Sequence, residues 1–162
     1  MTIPRFYVPG PWTSDRITFP EKASHHAMRV LRMRNGDEAE VFDGRGRTEF
    51  SSEGTVLIAE SYPEHGRESP LFITLAQAFV SPDKMEWITE KAVEAGASRI
   101  VFFPAARSVT KLSGDKLTKR LEKLRATAVS ACEQCGRSRI PEIETFASAE
   151  AMLSGLNADA RV

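Results

Sequence analysis

Cationic side chains are the residues of this 162-residue chain whose spacing most plainly suits a chemistry. Lys22, His25, His26, Arg29, Arg32 and Arg34 follow one another between positions 22 and 34 with no acid among them. A second window, residues 99–139, holds Arg99, Arg107, Lys111, Lys116, Lys119, Arg120, Lys123, Arg125, Arg137 and Arg139 against Asp115, Glu122 and Glu133, that is 10 bases less 3 acids, or +7. Both clusters suit a polyanion, and nucleic acid is the usual one. For Lys116–Arg125 taken alone, a solvated helix face is the alternative. His25 and His26 are adjacent, so their side chains point apart, and with no third ligand nearby they are not expected to bind a metal. They could stack on unpaired bases or donate to phosphate, with local packing at a helix start the alternative for one of the two. Cys132-Glu-Gln-Cys135 is a C-x-x-C at the carboxyl end of a helical pattern. Redox pairs of this kind sit at the amino end, where the dipole lowers the thiol pKa, and a zinc site would need a second pair. Two inert thiols are therefore expected.

The whole-chain balance conceals these surfaces, because 22 Lys and Arg offset 22 Asp and Glu. Residues 1–70 carry 9 bases and 11 acids, a net of −2. With 41% hydrophobic residues, 2 Cys, 10 Gly and 9 Pro, the chain is neither collagen-like, disulfide-stapled nor disordered. Its longest apolar run, Ile100-Val101-Phe102-Phe103, falls far short of the roughly 18 residues that cross a bilayer. No charged segment followed by an apolar one opens the chain, so no secretory leader is expected. A cytoplasmic, reduced protein of one or two domains follows.

The elements that must position the clusters change rhythm near residue 70. Before it the chain reads as short strands and turns: Arg5–Val8, Ile17–Phe19, Ala39–Phe42 running into the hairpin-type Asp43-Gly44, then Thr48–Ser52 and Thr55–Glu60. One helix is expected at Lys22–Arg32, with Ser24 as its cap, Ala27, Met28 and Leu31 on one side, and Asn35-Gly36 as its end. Many short strands at this spacing indicate a small barrel over residues 1–69. The polar stretch from Pro63 to Pro70 reads as a linker. From Leu71 the pattern is strand (71–79), helix and strand (99–103). Ser81 is the expected cap, Pro82 the first helical residue, and Met85, Ile88, Ala92 and Ala95 a core stripe ending at Gly96. Trp87 and Phe102-Phe103 also read as core. A long helix near 115–135 follows, with Leu117, Leu121, Leu124, Ala128 and Ala131 on one face and Gly136 as its stop. Pro141–Phe146 is strand-like, and Ser148 caps a last short helix ending at Gly155. This is the βαβ pattern of a parallel sheet. With two or three strands, and Asn157–Val162 resembling the approach to another, the second domain (70–162) is expected to be an incomplete core. The fold class is thus α/β plus a small β-barrel.

Several stretches together resemble one family. They are Pro4-Arg5-Phe6-Tyr7-Val8, the run from Ser24 through His25-His26 to Asn35-Gly36-Asp37, Phe42-Asp43-Gly44, the run from Asp83 through Trp87 to Gly96, Arg107-Ser108, and Glu133-Gln134-Cys135-Gly136-Arg137-Ser138-Arg139-Ile140-Pro141. In this order they resemble the bacterial 16S ribosomal RNA uridine-N3 methyltransferases, RsmE-type members of the SPOUT class with an N-terminal PUA-like domain. The resemblance implies an RNA-docking barrel, a methyl-transferring α/β domain that uses S-adenosylmethionine, 16S rRNA or the small ribosomal subunit as partner, and a homodimer. It also implies a C-terminal trefoil knot whose Gly-Pro-Glu-Gly-Gly loop and Leu-Arg-Thr-Glu-Thr stretch build the cofactor pocket. Neither stretch occurs in these residues, so the parallel sheet is expected to lack its knot, and an RNA-binding fragment without turnover is the alternative function. Methylating uracil N3 means removing an imide proton while charge develops on the flanking oxygens, which an arginine would stabilise. Arg107, at the carboxyl end of a strand, and Arg137 are the candidates for phosphate or uracil contact, with Glu133 orienting one of them. An ordinary (i, i+4) salt bridge between Glu133 and Arg137 is the alternative. Arg5, His25, His26, Arg29, Arg32, Arg34, Arg45, Lys111, Arg125 and Arg139 complete the expected RNA contacts.

Overall fold

A computed structural model of the chain describes residues 3–12, 16–34, 36–44, 48–51, 56–62, 68–106 and 112–156. These form two compact units, one of residues 1–68 with 129–140, the other of 69–128 with 141–162.

In the first unit, β1 (Arg5–Tyr7), β2 (Arg16–Ile17), β3 (Ala39–Phe42), β4 (Thr48–Ser51) and β5 (Val56–Tyr62) form one sheet in the order β1-β3-β4-β5-β2. The expected meander is present as β3, β4 and β5, antiparallel with a bulge at Phe50/Ser51, and β2 adds antiparallel to β5. β1 departs from a meander by pairing parallel to β3. Alternation sends Phe6, Val8, Ala39 and Val41 to one side, where they meet Ile17 and Ala27 in a core edged by Trp12, Phe19, Ala23 and Met33. Gly44 has φ +80° and bridges Arg139, and a Cβ there would lie 2.9 Å from Ile140 Cδ1. Only glycine fits.

The helical segment differs from its sequence pattern. α1 (Glu21–His25) starts one turn early, from Pro20, so Ser24 lies inside the helix and its hydroxyl faces Met28 Sδ rather than capping. The chain then widens into a π-helical turn over His26–Val30, in which Leu31 N donates to His26 O at 3.0 Å. Of the three apolar residues expected on one face, only Ala27 is buried, while Met28 and Leu31 are exposed. Arg32 is not helical but left-handed, with φ 54°, so it cannot share a helical face with Arg29.

In the second unit, β6 (Thr74–Ala78), β7 (Arg99–Phe103) and β8 (Glu142–Thr145) pair in parallel in that order. The crossovers are α2 (Pro82–Glu94) and α3 (Gly114–Cys135), and α4 (Ala149–Gly155) follows β8. Right-handed crossovers place both helices on one face of the sheet. Glu86 of α2 accordingly accepts from Arg120 of α3 at 2.8 Å, with Lys123 Nζ 3.8 Å away. Ile100, Val101 and Phe102 of β7 are fully buried, as are Val93 of α2 and Leu124 and Ala128 of α3, with Met85 nearly so. α2 ends as expected: Gly96 has φ +89° and Ala97 N returns to Ala92 O at 2.9 Å, a Schellman closure. α4 starts as expected, Ser148 Oγ accepting from Ala151 N at 3.1 Å.

Four details of this half are corrected. Leu71, Phe72 and Ile73 precede the strand and are exposed, because the β6–β7 register begins at Thr74↔Arg99. Ser81 occupies the cap position of α2, but its side chain makes no cap bond. Trp87, two residues beyond buried Met85 and hence about 200° around the helix, is 61% exposed. The stripe is Met85, Thr89, Ala92 and Val93, with Ala95 exposed at the helix end.

Candidate nucleic-acid interface

The first unit presents an exposed basic segment with no acid between Lys22 and Arg34 along the chain. Between Glu21 and Asp37, Lys22, His25, His26, Arg29, Arg32 and Arg34 are all exposed. Ala23, Ala27 and Met33 fasten the segment to the core, and His26 also packs edge-on against Phe6, its ring centroid 6.0 Å away at 90°. Local packing is therefore one of its roles. The loop after Arg32 closes on itself: Arg34 N donates to Asp37 Oδ2 at 2.7 Å and Asp37 N to Arg34 O at 3.1 Å. A π turn and a non-glycine residue in the left-handed region both cost energy that a plain helix would not, and such features gather at functional sites. Arg45, Arg107 and Lys111 lie outside the described residues.

Three of the expected site residues have other work. Arg5 is almost wholly covered: Nε donates to Glu40 Oε1 at 2.5 Å, Nη1 to the carbonyls of Cys132 (2.9 Å) and Arg137 (3.1 Å), and Nη2 to Ser138 Oγ (3.1 Å). Its guanidinium lies 4.7 Å above the Phe42 ring. With its donors committed to protein acceptors, Arg5 ties the last turn of α3 and the loop beyond Gly136 to β1 and β3, and it is not a phosphate contact. Glu133 Oε1 accepts from Tyr7 N at 3.0 Å, which satisfies a strand-edge amide. Arg137 is buried, its Nε and Nη2 both donating to Glu68 Oε2 at 3.0 and 2.9 Å. Neither the uracil contact nor the helix-end bridge describes Glu133 and Arg137, because each is held by a residue distant in sequence. Arg139 remains exposed, its amide bound to Glu68, and Arg125 donates to Ile143 O at 3.3 Å from an exposed position on α3.

Glu68 itself is what sequence reasoning missed. One oxygen takes the Arg137 guanidinium and the other takes the amides of Ser138 (2.8 Å) and Arg139 (2.9 Å). It sits in a polar stretch that reads as linker, and nothing in spacing signals a partner so far along the chain. Cys132 is buried beneath the same loop, its Sγ donating to Arg139 O at 3.5 Å. Burial pushes its thiol up to about 12, outweighing the nearby Arg137 charge. That agrees with an inert Cys132 thiol. Among the described residues no group of His, Cys, Asp or Glu could hold a metal.

In the second unit the three residues after each strand are Phe79-Val80-Ser81, Pro104-Ala105-Ala106 and Phe146-Ala147-Ser148. Such carboxyl edges are where open α/β sheets place ligands. At this one Phe79 is buried, Pro104, Ala105 and Phe146 are half-buried, and Ser81 and Ser148 are the polar side chains.

Comparison with known proteins accounts for both units. Residues 67–162 match the model of an RNA methyltransferase domain, and residues 19–48 that of an RNA methyltransferase PUA domain. The chain is 32% identical over 136 residues to ribosomal RNA small subunit methyltransferase E of Bacillus subtilis, covering 80% of this chain and 53% of that protein. It is 34% identical over 128 residues to the Mycobacterium bovis protein of the same name, covering 74% and 47%. It thus spans about half the length of these curated relatives. Among solved structures, the Neisseria gonorrhoeae ribosomal RNA small subunit methyltransferase E bound to S-adenosyl methionine superposes with a TM-score of 0.85 at 30% identity, over 97% of this chain and 67% of that one. A Legionella pneumophila protein solved with bound cofactor SAM gives 0.88 at 28%, over 100% and 70%. Its first unit folded around an acid-free basic turn and its second around a parallel sheet, this chain is a member of the RNA methyltransferase family to which ribosomal RNA small subunit methyltransferase E belongs.

Proposed function

We propose that the chain serves S-adenosylmethionine-dependent methylation of uridine N3 in 16S ribosomal RNA, in the cytoplasm and as a homodimer. On this reading the five-stranded unit is a PUA-like RNA-docking domain and the β6–β8 unit is the first part of a SPOUT-type domain. The observation that carries the proposal is the exposed, acid-free run from Lys22 to Arg34, on a chain that matches an RNA methyltransferase model over residues 67–162. Arg29, Arg32, Arg34, His25 and His26 are the RNA contacts of that face. Arg45, Lys111, Arg125 and Arg139 belong to the same proposal, and Arg107 is the residue assigned to the uracil oxygens.

S-Adenosylmethionine, when bound, supplies an electrophilic methyl group. Among the described residues, the three positions after each of β6, β7 and β8 carry no charged side chain for its methionyl end, so they fit at most part of the cofactor. What the chain's own residues do is bind and orient. The basic face neutralises phosphates, and a guanidinium beside the uracil oxygens lowers the cost of losing the N3 proton.

The test is methyl transfer from labelled S-adenosylmethionine to small ribosomal subunits that lack the modification, followed by nucleoside analysis. Label appearing as 3-methyluridine supports the proposal, and label in another nucleoside refutes the N3 assignment. The second reading, an RNA-binding module without turnover, rests on the same exposed basic run. It predicts RNA binding by this chain with no calorimetric signal from S-adenosylmethionine.

A further inference from the structure

We infer that the basic turn takes RNA whose bases are unpaired rather than a closed duplex, its cations holding phosphates while Met28, Val30 and Leu31 lie against exposed bases. This rests on the reading of the chain as an RNA methyltransferase and specifies which RNA that face accepts.

In a continuous α-helix, Ala23, Ala27, Val30 and Leu31 fall at i, i+4, i+7 and i+8, one apolar stripe. Ala23 and Ala27 do pack into the core of the first unit. Val30 and Leu31 should follow them in. Instead the π turn over His26–Val30 carries them out of line, leaving Val30 62% and Leu31 43% exposed, while Met33 takes the core position. Met28, at the centre of the turn, is 67% exposed. The backbone is thus arranged to expose apolar side chains that a regular helix would bury. Arg32 is held at φ 54° directly after them.

The chemistry of the surroundings selects the occupant. Four exposed cations, Lys22, Arg29, Arg32 and Arg34, with two exposed histidines among them and no intervening acid, call for a polyanion. An A-form duplex offers phosphates, sugars and a shallow minor groove, none of which gives Met, Val or Leu an apolar partner. Unpaired nucleotides offer both parts at once: a phosphate for each cation and base faces for the side chains between them. The alternation along the segment, His25-His26, Met28, Arg29, Val30-Leu31, Arg32, matches that double requirement.

The test uses the 162-residue chain and fluorescence anisotropy with two probes, a 12-nucleotide RNA that does not pair and a 12-base-pair RNA duplex. The single strand is expected to bind about tenfold more tightly. Met28→Ser with Leu31→Ser, both at exposed positions, should abolish that preference by weakening the single strand alone, with the salt dependence unchanged. Arg29→Ala should weaken both probes and lower the salt slope by about 0.7 to 0.9. Equal affinity for the two probes, loss of duplex and single-strand binding alike in the serine variant, or no binding to either probe overturns the inference. Methylation that persists without a single-strand preference sinks this inference and leaves the functional reading standing. A preference that persists without methylation does the reverse.

Discussion

Glu68 offers the sharpest energetic test of the first unit. Its carboxylate takes four donors, two from Arg137 and one each from the amides of Ser138 and Arg139, all between 2.8 and 3.0 Å. The side chains of the pair are only 5% and 12% exposed, so the near-zero worth of a surface ion pair does not apply. Glu68→Ala takes this carboxylate away from a buried guanidinium, which costs about 3–5 kcal/mol. With an m-value of about 2 kcal/mol per M, the urea midpoint of this unit falls by about 1.5–2.5 M. Because the chain forms two compact units, the readout must be local. Hydrogen exchange at the Val8 and Ile140 amides, which donate to Phe42 O and Gly44 O rather than to Glu68, followed by NMR in increasing urea, reports the unit that contains them. Glu68→Ala combined with Arg137→Met should recover most of the loss, since a well-packed apolar replacement for a buried pair is close to neutral. A Glu68→Ala loss below about 1 kcal/mol, or a double variant no better than the single, would refute the reasoning.

Three further outcomes follow from other residues. Burial raises the Cys132 thiol from an ordinary 9.0 to about 12, so its contribution to stability is constant below pH 9 and falls above it. The slope approaches about 1.4 kcal/mol per pH unit, and Cys132→Ala should remove it from alkaline denaturation curves. Gly44→Ala forces a Cβ against Ile140 and Tyr7 at a positive φ, and should cost about 1–3 kcal/mol by chemical denaturation. Arg32→Gly relieves a left-handed residue while removing a cation. It should leave stability equal or up to about 1 kcal/mol higher, yet lower the salt slope of RNA binding by about 0.7 to 0.9. An unchanged slope removes Arg32 from the interface.

The sequence pattern located most elements because their signals are local. Pro82 and Gly96 delimit α2, Gly136 stops α3, Ser148 caps α4, and continuous apolar residues mark β7. It misread elements whose state depends on partners elsewhere. The π turn follows a stretch with good α-helical spacing, and Trp87 has the composition but not the angular position of a core residue. The candidate site was legible as charge and not as geometry. The acid-free run stands out in one dimension, whereas the engagement of Arg5, Glu133 and Arg137 depends on residues 35 to 133 positions away.

That separation also sets an order of events during synthesis. The strand Arg5–Tyr7 leaves the ribosome first, but the turn of helix and the loop that cover it arrive only with residues 129–140. At roughly 5–20 residues per second, translating the 72 positions from 68 to 140 takes on the order of 4–15 s. Throughout that interval the amino-terminal unit is a nascent sheet with its Phe42–Arg5 side uncovered, while the whole βαβ segment from β6 to β7 is made in between. A chaperone that engages uncovered β-sheet would find this chain during those seconds, and slowing translation between residues 68 and 140 would lengthen that exposure.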